Sequence, residues 1–310
     1  MEKIITIIVT YNGMKWVDSC LSSLRNSSHP TDIVVIDNGS TDETTYYITE
    51  NYPEVKVIKS KENLGFGKAN NLGIKIGLEE NYDYFFLLNQ DAWVFPNTIG
   101  NLVEDFSHNS DFGIISPIQL KKNLEIETIF RSYIKDLESD IKIVQENTSA
   151  YETNVKEVDF TNAAVWMISA KCIENVGGFS PLFYHYGEDV DYLHRVKYHK
   201  LKHGVSINTF AIHDRNAKPR ETVKEYNKRK KHPGPWPLKY YNILADPNFT
   251  FFYAVIKSFI LFITSLGKHL LKGNFFSVKY DFIVIKEVIR KLNFISNIRK
   301  QAKQKTAFIK

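Results

Sequence analysis

Six residues spread along this chain have the types and settings for acid–base and metal chemistry: Asp37, Asp91, Glu188, Asp189, Asp191 and His213. Asp91 follows the apolar run Phe85-Phe86-Leu87-Leu88 and closes Asn89-Gln90-Asp91. A carboxylate at the end of a buried strand is costly unless it meets a cation or hydrogen-bond donors. Asp91 therefore reads as a metal ligand, the plainer alternative being a turn or helix cap. His213 ends the run Val205–Ile212 and reads as a second ligand or as a hydrogen-bonded histidine. Hard oxygen ligands suit Mg²⁺ or Mn²⁺, and an imidazole tilts the choice toward Mn²⁺. Asp37 ends a third apolar run and can accept a hydrogen bond from the imino N–H of uracil or thymine. Its alternative, shared with Asp42, is turn formation and capping. Glu188, Asp189 and Asp191 open a helical pattern and supply candidates for a general base. Asp189 and Asp191 are two positions apart and do not share a helical face, so one or two of the three can enter one site.

These residues suit a nucleoside diphosphate. A cation bridging the phosphates would neutralise the developing charge of a leaving group, which then needs no general acid. A base for an attacking hydroxyl remains necessary. Tyr11 can stack on a base, and Lys68, in the glycine-bearing loop Asn63–Lys68, can add a cation. Gly65 and Gly67 alone are equally explained by loop geometry.

The elements that must position these groups alternate. Ile4–Val9, Ile33–Ile36, Val55–Ile58 and Tyr84–Leu88 read as strands, with helical spacing at Val17, Cys20, Leu21 and Leu24, over Thr44–Tyr52, and after the glycine loop. Such alternation predicts right-handed crossovers and a mostly parallel sheet. In an open sheet of this kind ligands gather beyond the carboxyl ends of the strands, so Tyr11, Asp37, the 63–68 loop and Asp91 should share one rim. A helix is predicted over Pro96–Phe106 with Pro96 in its first turn, and strands over Phe112–Ile115 and Val205–Ile212. Residues 121–156 read as a polar insertion without a legible pattern. Gly187 to about Lys202 reads as a helix with its acids at the favourable dipole end.

The chain has 310 residues, 43% hydrophobic and 24% charged, an ordinary globular composition. A net charge of +5 does not argue for nucleic acid but suits an anionic ligand or membrane surface. Cys20 and Cys172 make neither a disulfide framework nor a zinc site, which points to a reducing, cytoplasmic setting. Met1–Val9 is too short for a signal segment and reads as the first strand.

Several stretches, in this order and at these separations, carry a family resemblance: Val9-Thr10-Tyr11-Asn12, Asp37-Asn38-Gly39-Ser40-Thr41-Asp42, Asn63-Leu64-Gly65-Phe66-Gly67 with Asn70-Asn71, Leu88-Asn89-Gln90-Asp91, Gly177-Gly178-Phe179 and Gly187-Glu188-Asp189-Val190-Asp191. From Ile4 to about Asp214 the chain resembles the family 2 glycosyltransferases of the GT-A fold, near their bacterial rhamnosyltransferase-like branch. The resemblance implies an α/β fold with a Rossmann-like, mostly parallel central sheet and flanking helices. It implies an inverting transferase that moves a sugar from a UDP- or dTDP-sugar to a hydroxyl of a cell-surface glycan or lipid-linked acceptor. Thr10, Tyr11, Asn12, Asp37, Gly65, Lys68, Asn70, Asn89, Gln90 and Asp91 would bind the nucleotide sugar. Asp91 and His213 would hold Mn²⁺ or Mg²⁺, and Asp189 would be the catalytic base. Gly178, Phe179, Tyr186 and Glu188 would border the acceptor. One departure stands out: Asn89 replaces the first Asp of the family's metal motif and Gln90 its common proline. The site is then half-acidic, and the cation is expected to bind with the donor rather than before it.

The expected organisation is a catalytic domain over 1–240, divided into a nucleotide-sugar half (1–117) and an acceptor half (118–240), followed by a C-terminal helical appendage (241–310). The cationic stretch Lys218–Lys231 reads as a solvated loop or a flap over phosphate. Phe249–Leu266 is apolar but marginal for a span, and Lys291–Lys310 has six Lys or Arg and no acid. Together they suit an interfacial anchor at the inner face of the cell membrane, or packing on the catalytic domain or on a second protomer of a homodimer. Two other classes compete. A nucleotidyltransferase would show a glycine- and arginine-rich loop after the first strand, where Thr10-Tyr11-Asn12-Gly13 stands. An inactive scaffold subunit would not keep Asp37, Asp91, Asp189 and His213 together.

Overall fold

The computed structural model describes residues 2–141, 155–215 and 236–309. In chain order the elements are β1 (Ile4–Thr10), α1 (Val17–Arg25), β2 (Asp32–Asp37), α2 (Thr44–Asn51), β3 (Lys56–Lys59), α3 (Phe66–Glu79), β4 (Tyr84–Leu88), β5 (Ala92–Val94), α4 (Thr98–His108), β6 (Phe112–Leu120), α5 (Thr128–Tyr133), β7 (Val155–Glu157), β8 (Val165–Ser169), α6 (Ala170–Val176), α7 (Glu188–Tyr198), β9 (Lys202–His213), α8 (Trp236–Ala245), α9 (Phe251–Leu271) and α10 (Phe275–Gln301).

The strands form one sheet in the order β3-β2-β1-β4-β8-β6-β9-β5, with β7 on β9. The first four strands are parallel, as the alternation predicts. β6 also runs parallel to β9, and the antiparallel ladders lie in the second half. The unbroken apolar run of β4 has a simple cause: both faces of the sheet are covered. Phe86 and Leu88 pack with α1 and α4 residues such as Leu21 and Leu102. Phe85 and Leu87 face the opposite core, with Ile74 of α3 and Tyr192 of α7.

Three sequence expectations change and one open reading narrows. Pro96 is not in a helix: Thr98 N–H donates to the Phe95 carbonyl at 3.0 Å, and Thr98 Oγ1 accepts from Phe95 N–H, so Pro96 occupies the turn before α4. The division at 117/118 falls inside β6, at the register shift between Pro117 and Ile118 where β6 meets β9. The boundary at 240 falls inside α8, which packs with α9 and α10 around Leu244, Phe262, Val288 and Ile295. The helical unit therefore already includes α8. Finally, of the readings offered for the basic segment after Lys291, packing on the same chain holds for part of it. Arg299 is buried and donates to the carbonyls of Leu244, Asp246 and Phe249. Beyond α10 the chain returns to the catalytic core, where Thr306 N–H meets the Glu174 carbonyl and Gly178 N–H meets that of Ala307.

Within 121–156, α5 and a 3₁₀ turn (Lys135–Leu137) cover a third core built on Ile118, Phe130, Ile134 and Ile212. The cationic stretch 218–231 lies outside the described residues.

Candidate active site

The carboxyl ends of β1, β2 and β4 meet on one rim and are tied by hydrogen bonds. Thr10 pairs in register with Asp37. Asn38 N–H donates to the Thr10 carbonyl at 2.8 Å, and the Asn38 side chain accepts from Leu64 N–H at 2.9 Å, which brings in the glycine loop. Asn12 sits at φ 49° and its Oδ1 accepts from Thr41 N–H at 2.8 Å. Gln90 Oε1 accepts from Thr10 Oγ1 at 2.7 Å and from Tyr11 N–H at 3.0 Å, so Gln90 shapes the Thr10–Tyr11 turn. Tyr11 itself is exposed and free to flank a base.

Asp37 is buried, and its Oδ1 accepts from the Ser40 hydroxyl and amide. The turn-forming role is thus real, and among the described residues Oδ2 has one long bond, 3.3 Å, from Ser40 N–H. That oxygen remains available to an imino donor. Gly65 has φ +79°, and a Cβ there would fall 2.3 Å from the Tyr184 carbonyl oxygen. The glycine lets the 63–65 loop press against the Phe183–Tyr186 stretch, where Tyr184 Oη donates to the Asn63 carbonyl at 3.0 Å. Asn70 is buried and bonds the Phe66 carbonyl inside α3. Lys68 is exposed and lines a groove of about 910 Å³ between α3 and residues 301–309. Gly178 and Phe179 lie behind the site: Phe179 N–H donates to Asn71 Oδ1 at 2.7 Å and its ring packs on Phe66 and Tyr192. They position the surface that Tyr184 and Tyr186 present rather than forming it, since both tyrosines are exposed.

β5 and β9 bring Asp91 and His213 together through the pairing of Ala92 with His213. Asp91 Oδ1 lies 3.6 Å from His213 Nε2. His213 is buried, and its Nδ1 meets Gln119 Oε1 at 2.9 Å. Gln119 Nε2 in turn donates to Asn162 Oδ1 at 2.8 Å, which turns its carbonyl toward the ring. Nδ1 therefore carries a hydrogen, and in the neutral ring Nε2 presents its lone pair to Asp91. Asn89, beside them, is half-buried.

No group of three or more His, Cys, Asp or Glu side chains able to hold a metal occurs among the described residues. Asp91 and His213 would supply two ligands to a divalent cation, one of them anionic, and such an ion would need its remaining ligands from elsewhere.

The three acids of α7 divide as their spacing requires. Asp191 is fully buried and pairs with Arg195, Oδ2 to Nε at 2.9 Å. Asp189 is held above the ordinary aspartate range by burial, against the pull of its own backbone and Val190 N–H and of Arg215. Glu188 is buried and pushed up to about 7 by the same cause. The value for Glu188 suits a group that exchanges a proton near neutrality, and Asp189 is shifted in the same direction. Arg215 and Tyr133 were not legible as site residues. Arg215 acts on both Asp189 and the Tyr133 phenol, whose pKa is raised chiefly by burial. Tyr133 comes from α5, inside the patternless excursion.

Residues 5–155 match the family described as Glycosyl transferase family 2. The low-salt glycan biosynthesis hexosyltransferase Agl10 of Haloferax volcanii is 25% identical over 223 residues, 69% of this chain and 68% of that protein. The N-acetylglucosaminyl-diphospho-decaprenol L-rhamnosyltransferase of Mycobacterium tuberculosis is 25% identical over 206 residues, 60% of this chain and 67% of the relative. The crystal structure of S. aureus TarS residues 1–349 in complex with UDP aligns with a TM-score of 0.54 at 16% identity, over 81% of this chain and 68% of that one. That likeness shows the fold, which is GT-A. With the rim and its motifs in the family order, residues 5–155 carry a family 2 glycosyltransferase domain.

Proposed function

We propose that the chain transfers a hexosyl or deoxyhexosyl group, with inversion, from a UDP- or dTDP-sugar to a hydroxyl of a cell-surface glycan or lipid-linked acceptor, at the cytoplasmic face of the membrane. The observation that carries this reading is the juxtaposition of Asp91 Oδ1 and His213 Nε2 at 3.6 Å, with Nδ1 of the same ring engaged by Gln119. Asp37 Oδ2 receives the imino N–H of the base, and Tyr11 flanks it. Asp91 and His213 would hold Mn²⁺ or Mg²⁺, which when bound offsets the negative charge of the departing diphosphate. Asp189 takes the proton of the acceptor hydroxyl as its oxygen bonds to the anomeric carbon. The bond from that carbon to the phosphate oxygen breaks on the opposite face and the nucleoside diphosphate leaves. The exposed Tyr184 and Tyr186 offer ring faces to the acceptor, next to Glu188.

Relatives named as acting in glycan biosynthesis and on a diphospho-decaprenol acceptor support the acceptor class. The reading is tested by screening UDP, dTDP, GDP and CDP and their sugars for thermal stabilisation with and without Mn²⁺. Stabilisation by a uridine or thymidine diphosphate is expected. Stabilisation by GDP or CDP alone would overturn the donor assignment.

A further inference from the structure

α9 is 21 residues long, about 31 Å, and one of its faces packs on α8 and α10. The opposite face carries Phe252, Ile256, Phe259 and Ile263, spaced as one helical stripe, and all of them are exposed. Phe259 is 61% exposed, although a large apolar side chain of this kind is normally covered. α10 continues the surface differently. Phe275, Phe282 and Ile289 recur every seven residues and are exposed, and Lys279 and Lys286 stand between them. Neither lysine has an ion-pair partner among the described residues. From Phe251 to Lys310 the chain has twelve Lys or Arg and two acids. Neither acid joins this surface. Asp281 is buried and bonded to Ser265 at 3.0 Å and His269 at 2.7 Å, and Glu287 is paired with Arg290 and Lys291.

We propose that the outer faces of α9 and α10 together form a docking surface for an anionic lipid bilayer, with both helices lying in the interface plane. This deepens, and rests on, the membrane-side reading proposed above. Apolar rings interleaved with lysines match a surface whose acyl boundary receives the rings while its headgroups meet the ammonium groups. A second copy of the chain is the weaker occupant, because a self-facing patch would set Lys279 and Lys286 against like charges. A span by α9 is disfavoured by its other face. Leaving α10 would strip Ser265 and His269 from the buried Asp281, an uncompensated loss. The same helical unit packs on Leu182 and Phe183, directly before the exposed Tyr184–Tyr186 stretch, so a docked unit would hold the acceptor loop beside the bilayer.

The test is co-flotation of the full chain with phosphatidylcholine vesicles, with or without roughly a third phosphatidylglycerol. Recovery with the anionic vesicles, release by about 0.5 M salt, and a loss of about tenfold or more in Lys279→Glu/Lys286→Glu and in Phe259→Ser/Ile263→Ser are expected. UDP-induced thermal stabilisation of each variant should match that of the parent, which shows that it is folded. Equal recovery with neutral vesicles, or indifference to the charge reversal, would overturn the proposal. So would a dimer in solution that Phe259→Ser dissociates, or retention through alkaline carbonate, which marks a span. If UDP stabilises nothing while flotation behaves as expected, the donor reading fails and the docking surface stands.

Discussion

His213 Nε2 faces Asp91 Oδ1 at 3.6 Å, and in the tautomer imposed by Gln119 both atoms are acceptors. Two acceptors held this close by the β5–β9 ladder repel unless a proton or a cation lies between them. The strands, not the side chains, impose the proximity: Ala92 pairs with His213, and Asp214 N–H donates to the Asp91 carbonyl at 2.8 Å. Asp214 is itself fixed by Trp16 Nε1 at 3.0 Å and Lys122 Nζ at 3.0 Å, so neither partner can easily withdraw.

Gln119 is therefore a positioning residue. Gln119→Leu removes the acceptor that holds the Nδ1–H tautomer. It should lower Mn²⁺-dependent transfer by about 10–100-fold, while UDP affinity measured without metal stays within about twofold. Equal losses with and without metal would mean that the substitution merely disturbs the fold.

Asp189 gives the enzyme a pH signature. Burial raises its pKa above the usual 3.8, so the unprotonated base appears only above the ordinary aspartate range as pH rises. The acid limb of kcat/KM should lie above that value, and Asp189→Asn should cut transfer by about a thousandfold or more with UDP binding retained. A limb at 3.8 or below would contradict the burial argument.

Glu188 makes a separate prediction on stability. Its folded pKa is raised from 4.5 to about 7, so the folded state binds the extra proton between those values. The group's contribution is present below 4.5 and lost as pH rises through about 7. Glu188→Gln removes that loss. The variant should gain about 1–3 kcal/mol over the parent at about pH 8 and nothing at about pH 4, by denaturant unfolding. A difference independent of pH would refute the burial of an ionising Glu188.

The return of the chain to the core can be tested at Gly177. It has φ +84°, and a Cβ there would fall 2.0 Å from the Ala307 carbonyl oxygen. Gly177→Ala should cost about 2 kcal/mol or more, and the cost should shrink in a variant that ends after Ala302. An equal cost in both would show that the strain is local to the turn and that residues 306–308 do not press on it.

The N-terminal half was legible because its strands are buried on both faces and end in polar turns, so β1, β2 and β4 announce themselves and their rim. Asp91 and His213 were legible for the same reason. Asp191 was correctly separable from Asp189 by helical spacing, but its buried partner Arg195 was not in view. Gln119 was hidden inside the apolar strand β6, where one polar residue looks like an interruption. Its role depends on a partner 94 positions away. Tyr133 gave no periodic signal, because α5 is a single short helix over a small core. The loop of Lys68 suggests a cation for phosphate, and its place on the groove beside residues 301–309 depends on a chain return that no local pattern reveals. The basic segment after Lys291 leaves two readings open in sequence for a like reason: Arg299 donates to three backbone carbonyls at and after the end of α8, a buried use of charge that composition cannot distinguish from an exposed one.

The central claim is that Asp91 and His213 share a cation that the donor diphosphate helps to hold. Calorimetric titration of Mn²⁺ into the protein, with and without UDP, tests it most directly, with His213→Ala alongside. Weak or undetectable Mn²⁺ binding alone, a gain of about tenfold or more with UDP present, and loss of that gain in His213→Ala are expected. Tight Mn²⁺ binding without nucleotide, or a UDP-linked gain that survives His213→Ala, would contradict the account.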